Sequence, residues 1–200
     1  MSHYRRVIVP GGVYFFTAVT YQRRPIFSSP RSVAALRDAL RQVQTARPFA
    51  IDAMVVLPDH LHCIWRLPEG DGDYPGRWRE IKKAASRRIA SSTDKRGERQ
   101  VWQRRFWEHL IRDDHDWRCH VAYIHYNPVK HGLADRPAAW PWSSFSRAVA
   151  RGWPDPSCGE TAPARSGGCG CELRTVWHRP DRWLRCCSAP HQRHAPPRGR

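Results

Sequence analysis

Apolar positions along the first three quarters of the chain change their period several times, and each change marks an element. Val13-Tyr14-Phe15-Phe16-Thr17-Ala18-Val19-Thr20, introduced by Gly11-Gly12, is aromatic and β-branched and predicts a buried strand. After Ser28 to Pro30, Val33, Leu36, Leu40 and Val43 recur at three- and four-residue steps, the spacing of one helix face, and this helix is expected to end near Pro48. Phe49 to Leu57 predicts a second strand and His60 to Leu67 a third, with Pro58-Asp59 as the turn that pairs them in a hairpin. A polar loop from Pro68 to Gly76 precedes a second helix. Its apolar face carries Trp78, Ile81, Ala85 and Ile89, and its other face carries Arg79, Lys82, Lys83, Arg87 and Arg88. Phe106 to Arg112 predicts a fourth strand, and Asp114 to Tyr126 a third helix with Trp117, Val121 and Ile124 facing inward. The order β-α-β-β-α-β-α implies an α+β fold, an antiparallel sheet covered by helices.

Past Trp153 the periodicity stops. Pro, Arg, Gly, Cys and Ser dominate from Pro154 to Arg200, a composition with too little apolar surface to form a core. The expected organisation is one domain over residues 1–153 and a basic, disordered tail over 154–200. The formal net charge is +16, and the tail, with eight Arg against four acidic residues, holds only a quarter of it. The folded part is therefore strongly basic, which points to a polyanion such as nucleic acid, and ten Trp supply surfaces on which bases could stack. No run of about eighteen apolar residues is present to cross a membrane, and Met1 to Arg6 does not begin a secretion signal, so a cytoplasmic protein is expected. Five of the seven Cys crowd the tail, and only Cys63 and Cys119 lie before it; an odd number without a secretion signal argues against a disulfide framework.

Two stretches carry chemistry. His60-Leu61-His62 lies on a predicted strand, where residues two apart project from the same face, so both imidazoles can reach one divalent ion. A His-x-His pair alone is a weak signal, but this one follows a turn directly and sits among Leu57, Leu61, Ile64 and Trp65. In Tyr123-Ile124-His125-Tyr126-Asn127-Pro128-Val129-Lys130 a helix places Tyr123 and Asn127 one turn apart, with the Asn127 amide oxygen as a further ligand. Because a residue before proline disfavours helical backbone, Asn127 is expected at the helix end.

Several motifs occur together in one order: Leu57-Pro58-Asp59-His60-Leu61-His62-Cys63-Ile64-Trp65, Arg77-Trp78-Arg79-Glu80-Ile81-Lys82-Lys83, Arg105-Phe106-Trp107-Glu108-His109, Tyr123-Ile124 with Asn127-Pro128-Val129-Lys130-His131-Gly132-Leu133, and Trp140-Pro141-Trp142-Ser143-Ser144-Phe145. With Tyr4-Arg5-Arg6 and Gly11-Gly12-x-Tyr14-Phe15-Phe16-Thr17 they closely resemble the REP-associated tyrosine transposases, relatives of single-tyrosine HUH transposases, over about Tyr4 to Gly152.

The resemblance implies a ferredoxin-like HUH endonuclease fold. It implies that His60 and His62 are the metal pair, that Tyr123 is the nucleophile and that Asn127 completes the site, with Mg²⁺ or Mn²⁺ as cofactor. The implied partner is single-stranded DNA bearing a palindromic hairpin, cut through a 5′-phosphotyrosine intermediate by a monomer or homodimer in the bacterial cytoplasm, at the nucleoid. Arg79, Lys82, Lys83, Arg87 and Lys130 are the side chains expected to hold DNA phosphates. Two rival readings stand beside this: a repressor-like nucleic-acid binder that keeps the fold without cutting, and a zinc module in the tail built from Cys169, Cys171, His178, Cys186, Cys187, His191 and His194, whose spacing fits no standard four-ligand pattern.

Overall fold

The computed structural model describes residues 6–89 and 100–152; the tail from Pro154, with its Cys and His cluster, lies outside the described residues. Four strands, β1 (Val13–Val19), β2 (Ala50–Val56), β3 (His60–Arg66) and β4 (Trp107–Leu110), form one sheet in the order β2-β3-β1-β4. Every neighbouring pair is antiparallel. Helices α1 (Pro30–Ala46) and α2 (Tyr74–Arg88) connect β1 to β2 and β3 to β4, which is the split β-α-β arrangement of a ferredoxin-like sheet. A third helix, α3 (Asp114–Lys130), and a short α4 (Phe145–Val149) complete the chain.

The pleat assigns the two faces. Tyr14, Phe16 and Ala18 of β1 and Leu61, Cys63 and Trp65 of β3 join Leu36, Leu40, Trp78 and Ile81 of α1 and α2 in the larger core. Phe15, Val55 and Ile64 point the other way and pack with Val121 and Ile124 of α3. Since β1 and β3 are the central strands, both of their faces are covered, and six of the seven β3 residues are buried. His60 and His62 share the α3 face with Ile64. Burying two imidazoles there is the feature that the hydrophobic effect does not explain.

The hairpin of β2 and β3 forms as the sequence predicts. Its register shifts between Ile51 and Ala53, and the carboxylate of Asp52 at that shift accepts from Trp117 Nε1 at 3.0 Å and from Arg66 at 2.8 Å. A strand irregularity thus ties α3 to the sheet. The fourth strand is shorter than Phe106 to Arg112 because it is an edge strand that pairs only with β1, from Tyr14 to Thr17.

Candidate active site

On β3, each imidazole is held through its Nδ1. His60 Nδ1 lies 2.6 Å from Asp59 Oδ1, and His62 Nδ1 lies 2.9 Å from Thr17 Oγ1, directly across the register on β1. With Nδ1–H donating in both, each Nε2 keeps its lone pair, the tautomer a metal ligand needs. Burial lowers the pKa of His60 against the pull of Asp59, and burial lowers that of His62 further, with His60 next to it adding to the effect. Both rings are therefore neutral at neutral pH, and they meet with centroids 4.9 Å apart.

On the helix side, α3 begins at Asp113, whose carboxylate caps the Asp116 N–H at 2.8 Å, and it does not stop at Tyr126 as the proline rule led us to expect. The helix runs through Pro128 to Lys130, so Asn127 sits inside it. The stop signal is Gly132. At a φ of 65° its N–H bonds Val129 O at 3.0 Å, and the Leu133 N–H bonds Pro128 O at 2.9 Å, a Schellman ending that satisfies the last carbonyls. Proline three residues from the end costs one helical hydrogen bond, and this termination, with the burial of Asn127 and Pro128, outweighs that loss.

Tyr123 then faces His62, with Asn127 one turn further along α3. The Tyr123 ring lies edge-on to His62, with centroids 5.1 Å apart, and Phe15 touches both rings. Burial raises the Tyr123 pKa, and the Asn127 carboxamide pulls the other way. Lys130 Nζ stands 5.2 Å from the centre of the Tyr123 ring, and its own pKa is lowered by burial. His131, just past the helix end, brings its ring to 5.4 Å from His60.

His62 Nε2 is buried without a hydrogen-bond partner among the described residues, and the buried Asn127 carboxamide has only the Tyr123 hydroxyl beside it. Leaving such a group unmet costs about 1–3 kcal/mol, so a site that tolerates the loss has another use for these atoms. Two neutral imidazoles and an amide oxygen are donors that suit a divalent cation, and the residues fit one.

Of the side chains expected to hold DNA, Arg79, Lys83 and Arg87 are exposed on α2. Lys82 is set apart from them. Its Nζ donates to Gln103 O at 2.8 Å and lies 5.5 Å from the Phe106 ring, and burial lowers its pKa to about 8.

Sequence reasoning did not single out Thr17, Asp59 or His131, and it missed a second cluster, His109, Asp116 and His120, whose ligand atoms lie within 4.8 Å of one another. There the carboxylate is already engaged. Asp116 Oδ2 accepts from His109 Nε2 at 2.8 Å and from the backbone N and Nε of Arg112 at 3.1 and 3.2 Å, while His120 Nδ1 stands 3.1 Å from Oδ1. Burial works against the Asp116 charge, but His120, His109 and Arg112 outweigh it and hold the pKa well below the ordinary carboxylate range. The network joins β4 to α3 one turn before Tyr123. Only the i, i+4 spacing of Asp116 and His120 is visible locally.

The profile of the family described as "Transposase IS200 like" matches residues 9–126. The REP-associated tyrosine transposase of Escherichia coli K12 is 49% identical over 152 residues, which span 76% of this chain and 87% of that protein. A Haemophilus influenzae Rd protein, provisionally given the same name, is 42% identical over 156 residues, 74% of this chain and 88% of its own. A solved structure of a REP-associated tyrosine transposase bound to a REP hairpin superposes with a TM-score of 0.69 at 44% identity, covering 84% of this chain and 99% of that one. The chain belongs to the IS200-like transposase family, among the REP-associated tyrosine transposases. No described helix is long and apolar enough to cross a membrane.

Proposed function

We propose that the protein cuts and rejoins single-stranded DNA beside a palindromic hairpin, with Tyr123 as the nucleophile. The observation that carries this reading is the meeting of Tyr123 on α3 with His62 on β3, whose buried Nε2 has no hydrogen-bond partner among the described residues. In the step, the Tyr123 oxygen attacks phosphorus and forms a 5′-phosphotyrosine bond, while the bond from phosphorus to the 3′-oxygen breaks and that oxygen leaves as a 3′-hydroxyl after taking up a proton. A second 3′-hydroxyl reverses the step on another strand. No external energy source is needed, because the phosphotyrosine link conserves the bond.

His60, His62 and Asn127 would hold the Mg²⁺ or Mn²⁺ ion, which when bound supplies charge stabilisation at the scissile phosphate. Thr17 and Asp59 orient the two imidazoles. Lys130 places positive charge beside the phenol and favours its deprotonation. Arg79, Lys83 and Arg87 bind backbone phosphates, a role that needs exposed cations. The 154–200 segment lies outside this catalytic domain, and the enzyme works in the cytoplasm, where its DNA is.

The test is incubation of the purified protein with labelled, hairpin-bearing single strands and Mn²⁺, followed by denaturing electrophoresis. A labelled strand that travels with the protein and is released by protease supports the proposal. Tight hairpin binding with no cleavage and no adduct identifies a binder that does not cut.

A further inference from the structure

We propose that Trp107 is a stacking platform for an unpaired base of the strand being cut, a few nucleotides from the scissile phosphate; this rests on the nuclease reading above. The register places three side chains in one row across the sheet, because Thr17 pairs with His62 on one side and with Trp107 on the other. Paired residues project from the same face, so Trp107 stands on the face of the two histidines, two strand spacings or about 10 Å from His62.

Its surroundings fix that position. The indole lies edge-on to Phe15, with centroids 5.7 Å apart, and parallel to the His109 ring at 6.1 Å. Phe15 also contacts His62 at 5.4 Å and Tyr123 at 6.0 Å, so one buried ring touches the platform, a histidine of the proposed metal site and the nucleophile.

The platform is nevertheless open. Trp107 is 41% exposed, and among the described residues it is the aromatic member of a short set of exposed large apolar side chains, the others being Val7, Ile8, Val9 and Leu133. A rigid aromatic held by its neighbours loses little entropy when it stacks on a ligand. Exposed Arg104 and Arg105 precede it in the chain and supply charge for the phosphates on either side of a stacked base. An unpaired base is the occupant that fits, since its faces are accessible, whereas those of a duplex base are covered by neighbours; the stacking tolerates any sequence.

The experiment uses hairpin oligonucleotides, with and without a single-stranded flank, bound to the full chain in EDTA and read by anisotropy. 2-Aminopurine is placed in turn at each flank position. In the wild type, one position is expected to be quenched on binding. Trp107→Ala should abolish that quenching and weaken the flanked hairpin roughly 5- to 150-fold, while the flankless hairpin binds as before and Trp107→Phe retains most of the affinity. Unchanged quenching and affinity in Trp107→Ala would overturn the inference, and so would an equal loss for flanked and flankless hairpins, which marks a general defect. If the wild type forms its covalent adduct while Trp107→Ala binds normally, stacking alone fails. If the wild type binds neither hairpin, the nuclease reading falls with it.

Discussion

The imidazole of His62 and the phenol ring of Tyr123 meet at 67°, with centroids 5.1 Å apart, although one comes from the centre of a sheet and the other from a helix laid across it. That juxtaposition depends on supporting side chains, and the first of them is Thr17. Its hydroxyl lies 2.9 Å from His62 Nδ1 and so holds the ring in its orientation. Thr17→Val is predicted to reduce Mn²⁺ affinity by about 10- to 100-fold, and Thr17→Ser to restore it. Titration calorimetry of the two variants is the check; equal affinities in wild type and Thr17→Val would show that His62 needs no such support.

Lys130 stands over the Tyr123 ring, and burial of that phenol disfavours the phenolate that the proposed attack requires. A nearby cation shifts such an equilibrium by about a pKa unit or more, so Lys130→Met is predicted to slow single-turnover cleavage by roughly tenfold or more. Cleavage at the wild-type rate with saturating DNA would assign Lys130 to phosphate binding alone.

The basic face of α2 divides into two groups. Lys83 and Arg87, with Arg79, are exposed, whereas Lys82 is committed to Gln103 O and to the rings around it. Removing one of the three exposed cations should lower the slope of log affinity against log salt by about 0.7 for single-stranded DNA. Lys82→Met should leave the slope unchanged and lower the melting temperature instead. A slope change in Lys82→Met as large as in Lys83→Met would place its ammonium on the DNA.

Much of this arrangement is legible in the sequence, and what escaped is non-local. Alternation and helical spacing locate β1 to β3, α1 and α2 to within a few residues, since each buries an uninterrupted apolar face. The histidine pair is visible because a strand puts residues two apart on one face. Thr17 is not, since its role follows from the pairing of β1 with β3, 45 residues apart in sequence. The end of α3 is misjudged when Pro128 is weighed above Gly132, and the Schellman ending reverses that order. The network of Asp116 with His109 and His120 depends on β4 and α3 meeting in space.

Away from the site, Asp71 binds the buried Arg77 guanidinium through both oxygens, at 2.6 and 3.0 Å, and this bond lowers its pKa to about 2. A carboxylate whose pKa is depressed on folding adds stability above its unfolded pKa, about 3.9, and loses it as pH falls towards 2. Asp71→Asn should cost about 2 kcal/mol at pH 7, because Arg77 keeps its bonds to Arg47 O, Pro48 O and Asp73 O. Thermal melts should show a smaller difference between variant and wild type at pH 2 than at pH 7. A gap that stays constant with pH would contradict the assignment.

The nucleophile is tested most directly by removing one oxygen. Tyr123→Phe keeps the ring against Phe15 and His62, so the fold and hairpin affinity should persist, while Tyr126→Phe, three residues further along α3, serves as the matched control. With labelled hairpin DNA and Mn²⁺, wild type and Tyr126→Phe are predicted to yield a covalent protein–DNA adduct that Tyr123→Phe does not form. Adduct that survives in Tyr123→Phe, and maps by peptide digestion to another residue, would contradict the account.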